Sequence, residues 1–295
     1  MPLAVKGEFV LEDNLSVGIT AFIDILGFGE KILNAESFDD IKIIKQEIEQ
    51  IQKEFDFESK DEQISELQKS HKKTVLAFSD CVIINVPLQS EATEYSGTFD
   101  PLMNELVGFA YTQGSCVLNS IFLRGGVETG WWLQEGSTLM SQSLVDSVKR
   151  ESSADVPVIA LCETIYKYFS DHDHRKFYSE DDDPIKSMFR EYKTDDDSFF
   201  YIDYISICLR SLDWHRSRSQ LNKYQASSPE EKDEIVTSGH RDNVDDWLCE
   251  HARNIEEAYK IAPNKKVKYK YQWLSNYHNE ISEKYSTNTS CQCKV

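Results

Sequence analysis

Two apolar runs dominate the first third of the chain, and each carries an aspartate where strand chemistry alone would not put one. Val17 to Gly29, VGITAFIDILGFG, reads as a buried strand that reaches Asp24 and passes into a short glycine-containing loop. Thr74 to Val86, TVLAFSDCVIINV, has alternating apolar residues on both sides of Ser79-Asp80 and reads as a β-hairpin with that pair at its turn. An acid at the end of a buried strand calls for something positive beside it. Two strands that each present one aspartate predict a divalent-metal site. Taken singly, Asp24 also suits a helix cap or a turn, and Ser-Asp is a favoured turn pair.

The rest of the pattern alternates helix and strand. Ser37 and Asp40 make a capping-box-like start, and Ile41, Ile44, Ile48, Ile51 and Phe55 form one apolar stripe, so a helix should pack one face on a sheet. Residues 56–73 read as a charged surface connection and Pro87 to Pro101 as a loop. Leu102, Leu106, Phe109, Ala110, Val117 and Ile121 predict a second helix over 102–121. It leads into Phe122 to Leu133, FLRGGVETGWWL, a strand whose glycines allow either close packing or close approach of a ligand. A polar helix at about 139–151, a strand over Val156 to Cys162 and a helix over Glu163 to Phe169 follow. The order β-α-β-β-α-β-α-β places the chain in the α+β class, as a palm-like ferredoxin variant over residues 1–170. Residues 171–295 read as an extension packed on the same domain. It comprises an exposed acidic excursion from Asp171 to Ser198, a returning strand over Phe199 to Leu209, a polar stretch at 211–239, and C-terminal helices over 242–262 and 269–285.

Composition narrows the function classes. The chain has 295 residues, 40% of them hydrophobic, enough for a real core in one large domain or in one domain with an appendage. No apolar run is long enough to cross a membrane and the N-terminus lacks a signal-like apolar region, so the expectation is a cytoplasmic protein without a membrane partner. Seven cysteines, mostly inside apolar runs, read as reduced core thiols; Cys291 and Cys293 form a CxC with no second pair to complete a metal site. A net charge of −19 argues against nucleic acid as a partner. An anionic nucleotide would then depend on local cations, which metal ions supply. His172 and His174 read as surface residues, Trp273, Tyr277 and His278 as a packing face, and Lys265, Lys266, Lys268 and Lys270 as a solvated basic helix start. Arg124 suits a phosphate, or an acidic loop met at a sheet edge, equally, and Lys149 suits solvent or a catalytic role.

Three ordered motifs resemble one family. Phe22-Ile23-Asp24-Ile25-Leu26-Gly27-Phe28 resembles the FxDIxGF signature of class III nucleotidyl cyclases, Phe78-Ser79-Asp80 looks like their second metal motif, and Leu123-Arg124-Gly125-Gly126-Val127-Glu128-Thr129-Gly130 is similar to their LRxGxxxG strand. The resemblance covers roughly residues 17–170. There are departures: Leu76 stands where purine cyclases place a base-reading lysine, with Thr138 near their base-reading acid. Val145 and Lys149 stand where the family places an Asn and an Arg that stabilise the transition state. The pattern resembles the bacterial anti-phage pyrimidine cyclases of the Pycsar type. These share the FIDILGF start, the SD pair, a late FIDYL strand like Tyr201-Ile202-Asp203-Tyr204-Ile205, and a KYxWLxxYHN segment like Lys270 to Asn279.

That resemblance implies cyclisation of UTP, or of CTP, to a cyclic nucleotide heard by a separate effector protein. No residue is assigned to the base edge that tells uracil from cytosine. It implies two Mn²⁺ or Mg²⁺ ions per site, held by Asp24, Asp80 and the Ile25 carbonyl, since hard oxygen ligands suit these cations. Phe22, Leu26, Gly27, Phe28 and Arg124 would bind nucleotide and phosphates, the loop amides lying close to a helix start. Lys149, or Arg150, would reach the site from the other subunit of a head-to-tail homodimer. A catalytically degenerate palm domain that senses nucleotide is the alternative; a cyclic-dinucleotide synthase would be expected to carry a GGDEF-like turn in place of Ser79-Asp80.

Overall fold

The computed structural model describes residues 3, 14–56, 66, 69–173, 175, 179, 183–193 and 198–295. The chain divides into two compact units, Met1–Cys116 with Ile121–Asp203, and Val117–Ser120 with Tyr204–Val295.

The strands of the first unit are β1 (Leu15–Ile25), β2 (Thr74–Phe78), β3 (Cys81–Pro87), β4 (Leu123–Glu135), β5 (Thr138–Ser141), β6 (Ile159–Leu161), β7 (Phe189–Lys193) and β8 (Ser198–Ile202). Its helices are α1 (Phe28–Leu33), α2 (Phe38–Phe55), α3 (Glu91–Ser96), α4 (Phe99–Leu118), α5 (Gln142–Ala154) and α6 (Glu163–Ser170). One sheet runs β2-β3-β1-β4-β6-β8-β7, with β5 paired to β4. β1 is antiparallel to both β3 and β4, and β2 to β3. The first four strands therefore stand in the order 2-3-1-4, with α2 linking β1 to β2 and α4 linking β3 to β4. This is the βαββαβ palm-like arrangement expected. β6 joins parallel to β4, and β8 and β7 extend the sheet antiparallel.

Strand alternation sorts the two faces of this sheet. Ile19, Ala21 and Ile23 of β1 pair with Val86, Ile84 and Val82 of β3, and all six are buried. Ile51 and Phe55 of α2 and Leu102, Leu106 and Phe109 of α4 are also buried, with the Phe55 and Phe109 rings edge to face at 5.8 Å. The capping box at α2 is present, Ser37 accepting from the Asp40 amide and Asp40 from the Ser37 amide. Only the C-terminal half of its apolar stripe closes on the core, because Ile41 is 53% exposed.

The other face carries Thr20, Phe22 and Asp24, and part of it lies under α5. Gly126 and Gly130 permit this. A Cβ on Gly126 would stand 2.2 Å from the Ser147 carbonyl oxygen and one on Gly130 3.0 Å from Ser143. Buried serines fill the seam: Thr20 Oγ1 is 2.6 Å from Ser143 Oγ, and Ser147 Oγ donates to the Thr20 carbonyl at 2.7 Å.

Several boundaries differ from the sequence reading. The expected loop at 87–101 contains α3, opened by a Ser90–Thr93 capping box, and α4 starts at Phe99. The helix expected from 139 begins at Gln142, after β5 closes a hairpin on β4. The acidic excursion contains β7, with Ile185, Met188 and Phe189 buried, while residues 174, 176–178, 180–182 and 194–197 lie outside the described residues, His174 among them. Most of the 56–73 connection lies outside them too. His172 is half-buried, stacked on Phe99 at 4.2 Å. Phe199 to Leu209 is strand only to Ile202; helix α7 (Tyr204–Arg210) follows. A run that is apolar but for Asp203 and Ser206 fits a buried strand or a buried helix alike, so periodicity could not place that break.

In the second unit, α8 (Arg218–Ala226) occupies the stretch read as polar, and α9 (Pro229–Ile261) and α10 (Lys265–Tyr285) are the long helices. Pro229 and a Ser228–Glu231 capping box open α9 well before residue 242. Cys249 and Cys291 form a disulfide, which corrects the expectation of seven reduced thiols at those two; Cys81, Cys116, Cys162, Cys208 and Cys293 are free and buried. The pairing depends on a return of the chain that spacing alone does not show. Among the described residues no helix is long and apolar enough to cross a membrane.

Candidate active site

The end of β1 gathers the charged residues. Asp24 faces Cys81 across one strand boundary and Arg124 across the other. The next residue back from Cys81 is Asp80, whose carbonyl accepts from the Ile25 amide at 3.2 Å. The two aspartates thus stand at neighbouring strand ends, as the hairpin reading required. Their fields meet on Cys81. Burial pushes its thiol up to about 11, and the Asp80 and Asp24 carboxylates add to the rise. Two negative groups therefore act on one sulfur, and the thiol stays protonated.

That donor set fits a hard divalent cation. Two carboxylates with the Ile25 carbonyl would offer only oxygen donors, and Cys81 offers no thiolate to favour a softer metal. Among the described residues no group of three His, Cys, Asp or Glu is placed to hold a metal ion. The remaining ligands of such an ion would have to come from outside these residues, as water does for Mg²⁺.

Arg124 occupies the centre of a wider cluster. Its Nε donates to Asp24 Oδ2 at 2.7 Å, Glu151 Oε1 of α5 lies 2.6 Å from the same nitrogen, and Asp155 Oδ1 stands 3.6 Å from Nη1. Glu151 is buried and Asp155 closes the C-terminus of α5 in a left-handed conformation, φ 47°. The negative end of a helix and three carboxylates surround one guanidinium. Beside it, Arg150 pairs with Glu128 at 3.0 Å.

The other expected residues divide. Phe22 is half-buried and shares a sheet face with Ile83 and Leu76, which follow it in register across β3 and β2. Gly27 sits at φ 80° and caps α1, a position open to glycine without steric cost. Gly29 follows it in the first turn, where a Cβ would lie 4.0 Å from Asp80 Oδ2. The Leu26 amide is already committed, donating to the Phe122 carbonyl at 2.8 Å. The Phe28 side chain is core, 1% exposed, so only its backbone faces the turn. Lys149 lies on the far side of α5 from the sheet, 71% exposed and 3.0 Å from Asp146; Val145 is exposed on the same helix.

Glu151 and Asp155 were not singled out from the sequence. A signal existed in the four-residue spacing of Ser143, Ser147, Glu151 and Asp155, opposite a strand whose Gly126 and Gly130 leave room for a helix.

No protein-family profile matches the chain, and no curated protein does. Among solved structures it is similar to a bacterial light-regulated adenylyl cyclase, at 13% identity and a TM-score of 0.35, over 65% of this chain and 95% of that one. It is also similar to a class III adenylyl cyclase-like ATP-binding protein from Pseudomonas aeruginosa, at 13% identity and a TM-score of 0.33, over 52% of this chain and 34% of that one.

Proposed function

We propose that the chain is a pyrimidine nucleotidyl cyclase that converts UTP, or CTP, to the 3′,5′-cyclic monophosphate and pyrophosphate, as a signal in anti-phage defence read by a separate effector. The observation that carries this reading is the placement of Asp24 and Asp80 at adjacent strand ends of a palm-like sheet, close enough for both to act on Cys81. In the reaction the 3′-oxygen loses its proton and bonds to the α-phosphorus as the bond to pyrophosphate breaks. Two Mg²⁺ or Mn²⁺ ions, held by Asp24, Asp80 and the Ile25 carbonyl, would neutralise charge on the entering and leaving oxygens. Gly27 turns the backbone so that the Phe28 and Gly29 amides open α1 beside Asp80. Phe22, Ile83 and Leu76 give an apolar floor for a base, and Leu76 offers no hydrogen bond to its edge.

Lys149 is 71% exposed and pairs with Asp146, and its catalytic role in this reading comes from a second copy of the chain, in a head-to-tail homodimer. The sensing-module reading has one observation in its favour. Val145 and Lys149 stand where an Asn and an Arg would be expected, and neither reproduces that pair's planar hydrogen-bonding groups.

The deciding experiment offers Mn²⁺ and each ribonucleoside triphosphate separately and follows products by mass, beside Asp24→Ala and Asp80→Ala. Cyclic UMP or cyclic CMP, reduced on the order of a thousandfold in both variants, is the expected result. Tight nucleotide binding with no product would replace the enzyme by the sensing module. A purine product would overturn the base assignment.

A further inference from the structure

Asp24 is paired with a cation that belongs to the protein. The Arg124 Nε carries one hydrogen and donates it to Asp24, while Glu151 and Asp155 approach the same guanidinium from α5. All four groups are at least partly withdrawn from solvent: side-chain exposure is 15% for Asp24, 23% for Arg124, 4% for Glu151 and 40% for Asp155. One guanidinium thus serves two sides, the strand end and the end of α5.

We infer that Arg124 is a resident counter-ion of Asp24 that a divalent cation must displace, and that Glu151 with Asp155 is the berth that receives it. The inference rests on the two-aspartate metal reading and adds its regulation. With Arg124 on Asp24 the carboxylate is neutralised, and the strand end tolerates its burial without a metal. Cation binding releases the Asp24 arm of the contact, and Arg124 keeps a full complement of negative partners at the C-terminus of α5. The hydrogen bond to Asp24 and the ion pair with Glu151, whose buried Oε1 has no hydrogen-bond partner among the described residues while Asp24 holds the Nε hydrogen, keep the guanidinium from leaving the site for solvent. A cation therefore competes with an internal charge, and the site closes only above a threshold of metal, or of metal brought in with a nucleoside triphosphate. Arg124 and Glu151 act here as positioning residues.

The test reads Mn²⁺ binding to the full chain directly, from the electron paramagnetic resonance signal of free Mn²⁺, without nucleotide and without turnover. Arg124→Gln removes the competitor and should tighten binding about tenfold; Glu151→Gln removes the berth, commits Arg124 to Asp24 and should weaken it by a similar factor. Asp155→Asn, at a half-exposed position less demanding of the fold, should weaken binding in the same direction by about twofold. A merely structural role would move every variant the same way, so the opposite signs of Arg124→Gln and Glu151→Gln are the discriminating result. Equal affinities in these variants, with binding abolished by Asp24→Asn and Asp80→Asn, would overturn the counter-ion and leave the metal site standing. Mn²⁺ binding indifferent to Asp24→Asn and Asp80→Asn, or absent from the unaltered chain, would overturn both.

Discussion

The two units bury polar groups in opposite ways. In the second unit, Tyr204, His251, His278 and the Cys291 carbonyl form a chain in which each donor has one matched acceptor. Tyr204 Oη is 2.7 Å from His251 Nε2, the two Nδ1 atoms are 3.0 Å apart, and His278 Nε2 is 2.7 Å from the Cys291 carbonyl oxygen. A carbonyl only accepts, so His278 donates from Nε2 and accepts at Nδ1. His251 then donates from Nδ1 and accepts from the tyrosine at Nε2. Both rings are neutral, and burial holds both below the ordinary imidazole value. In the first unit, by contrast, one guanidinium faces three carboxylates. A matched neutral chain has one low-energy arrangement and specifies a structure. A cluster with more acceptors than donors has several arrangements of similar energy, and that is what a site exchanging cations requires.

The sharpest way to break the contrast is to separate α5 from β4, because Gly126 lies beneath the backbone amide of Glu151, where a Cβ would approach to 2.7 Å. Gly126→Val should cost about 3 kcal/mol in urea unfolding. It should also weaken Mn²⁺ binding, since the berth for Arg124 moves with the helix. An unchanged midpoint would mean that α5 does not rest on the glycine seam.

On the other side, His251→Phe keeps the ring and removes both of its hydrogen bonds. The expected cost is about 2 kcal/mol, read as faster hydrogen exchange in α9 and α10 with the sheet unaffected. The unaltered protein carries a pH signature. Because the folded state holds both imidazoles below the ordinary value of 6.5, the unfolded chain binds more protons in mild acid. This stability is therefore complete above pH 6.5 and lost as pH falls below it. His251→Phe should remove part of that dependence. Identical pH curves would show that the pair does not set it.

How far the sequence reaches follows the same division. The strand–loop–helix around Asp24, the hairpin at Ser79-Asp80 and the Ser37–Asp40 cap were legible because each is local: alternation, a turn pair and a capping box are decided within a few residues. The palm-like class followed from the succession of elements, whereas β5 and β7 and their places in the sheet did not. The charged cluster was only half legible. Arg124 reads as meeting either a phosphate or an acidic loop at a sheet edge, but β4 lies inside the sheet, the arginine's partner Asp24 is a hundred residues away and Glu151 becomes its neighbour only once Gly126 admits α5. The same distance hides the Cys249–Cys291 bond and the imidazole pair, of which His278 reads from the sequence as part of a packing face. The strand-to-helix change at Asp203 was missed for a different reason, since burial on all sides erases the periodicity that separates the two.

The smallest expected effect concerns the turn that carries Asp80. Phe78 and Cys81 are the last paired residues of β2 and β3, so Ser79 and Asp80 form a two-residue loop, and Ser79 is held at φ 55°. A two-residue hairpin whose first loop residue has positive φ favours glycine there, and a serine pays for its Cβ. Ser79→Gly should remove that strain while adding freedom to the unfolded chain, leaving a net gain of about 0.5–1 kcal/mol and a rise of about 1–3 °C in Tm. Mn²⁺ affinity separates two uses of the serine. If Ser79 only tolerates its conformation, the variant binds Mn²⁺ as the unaltered chain does and melts later. If the Cβ restricts where the Asp80 carboxylate stands, Mn²⁺ binding weakens although the fold is more stable, and the strain belongs to the same design as the crowded guanidinium: a site held away from its most relaxed arrangement so that a cation can complete it. A lower Tm would remove the strain argument altogether, placing Ser79 in a contact that glycine cannot replace.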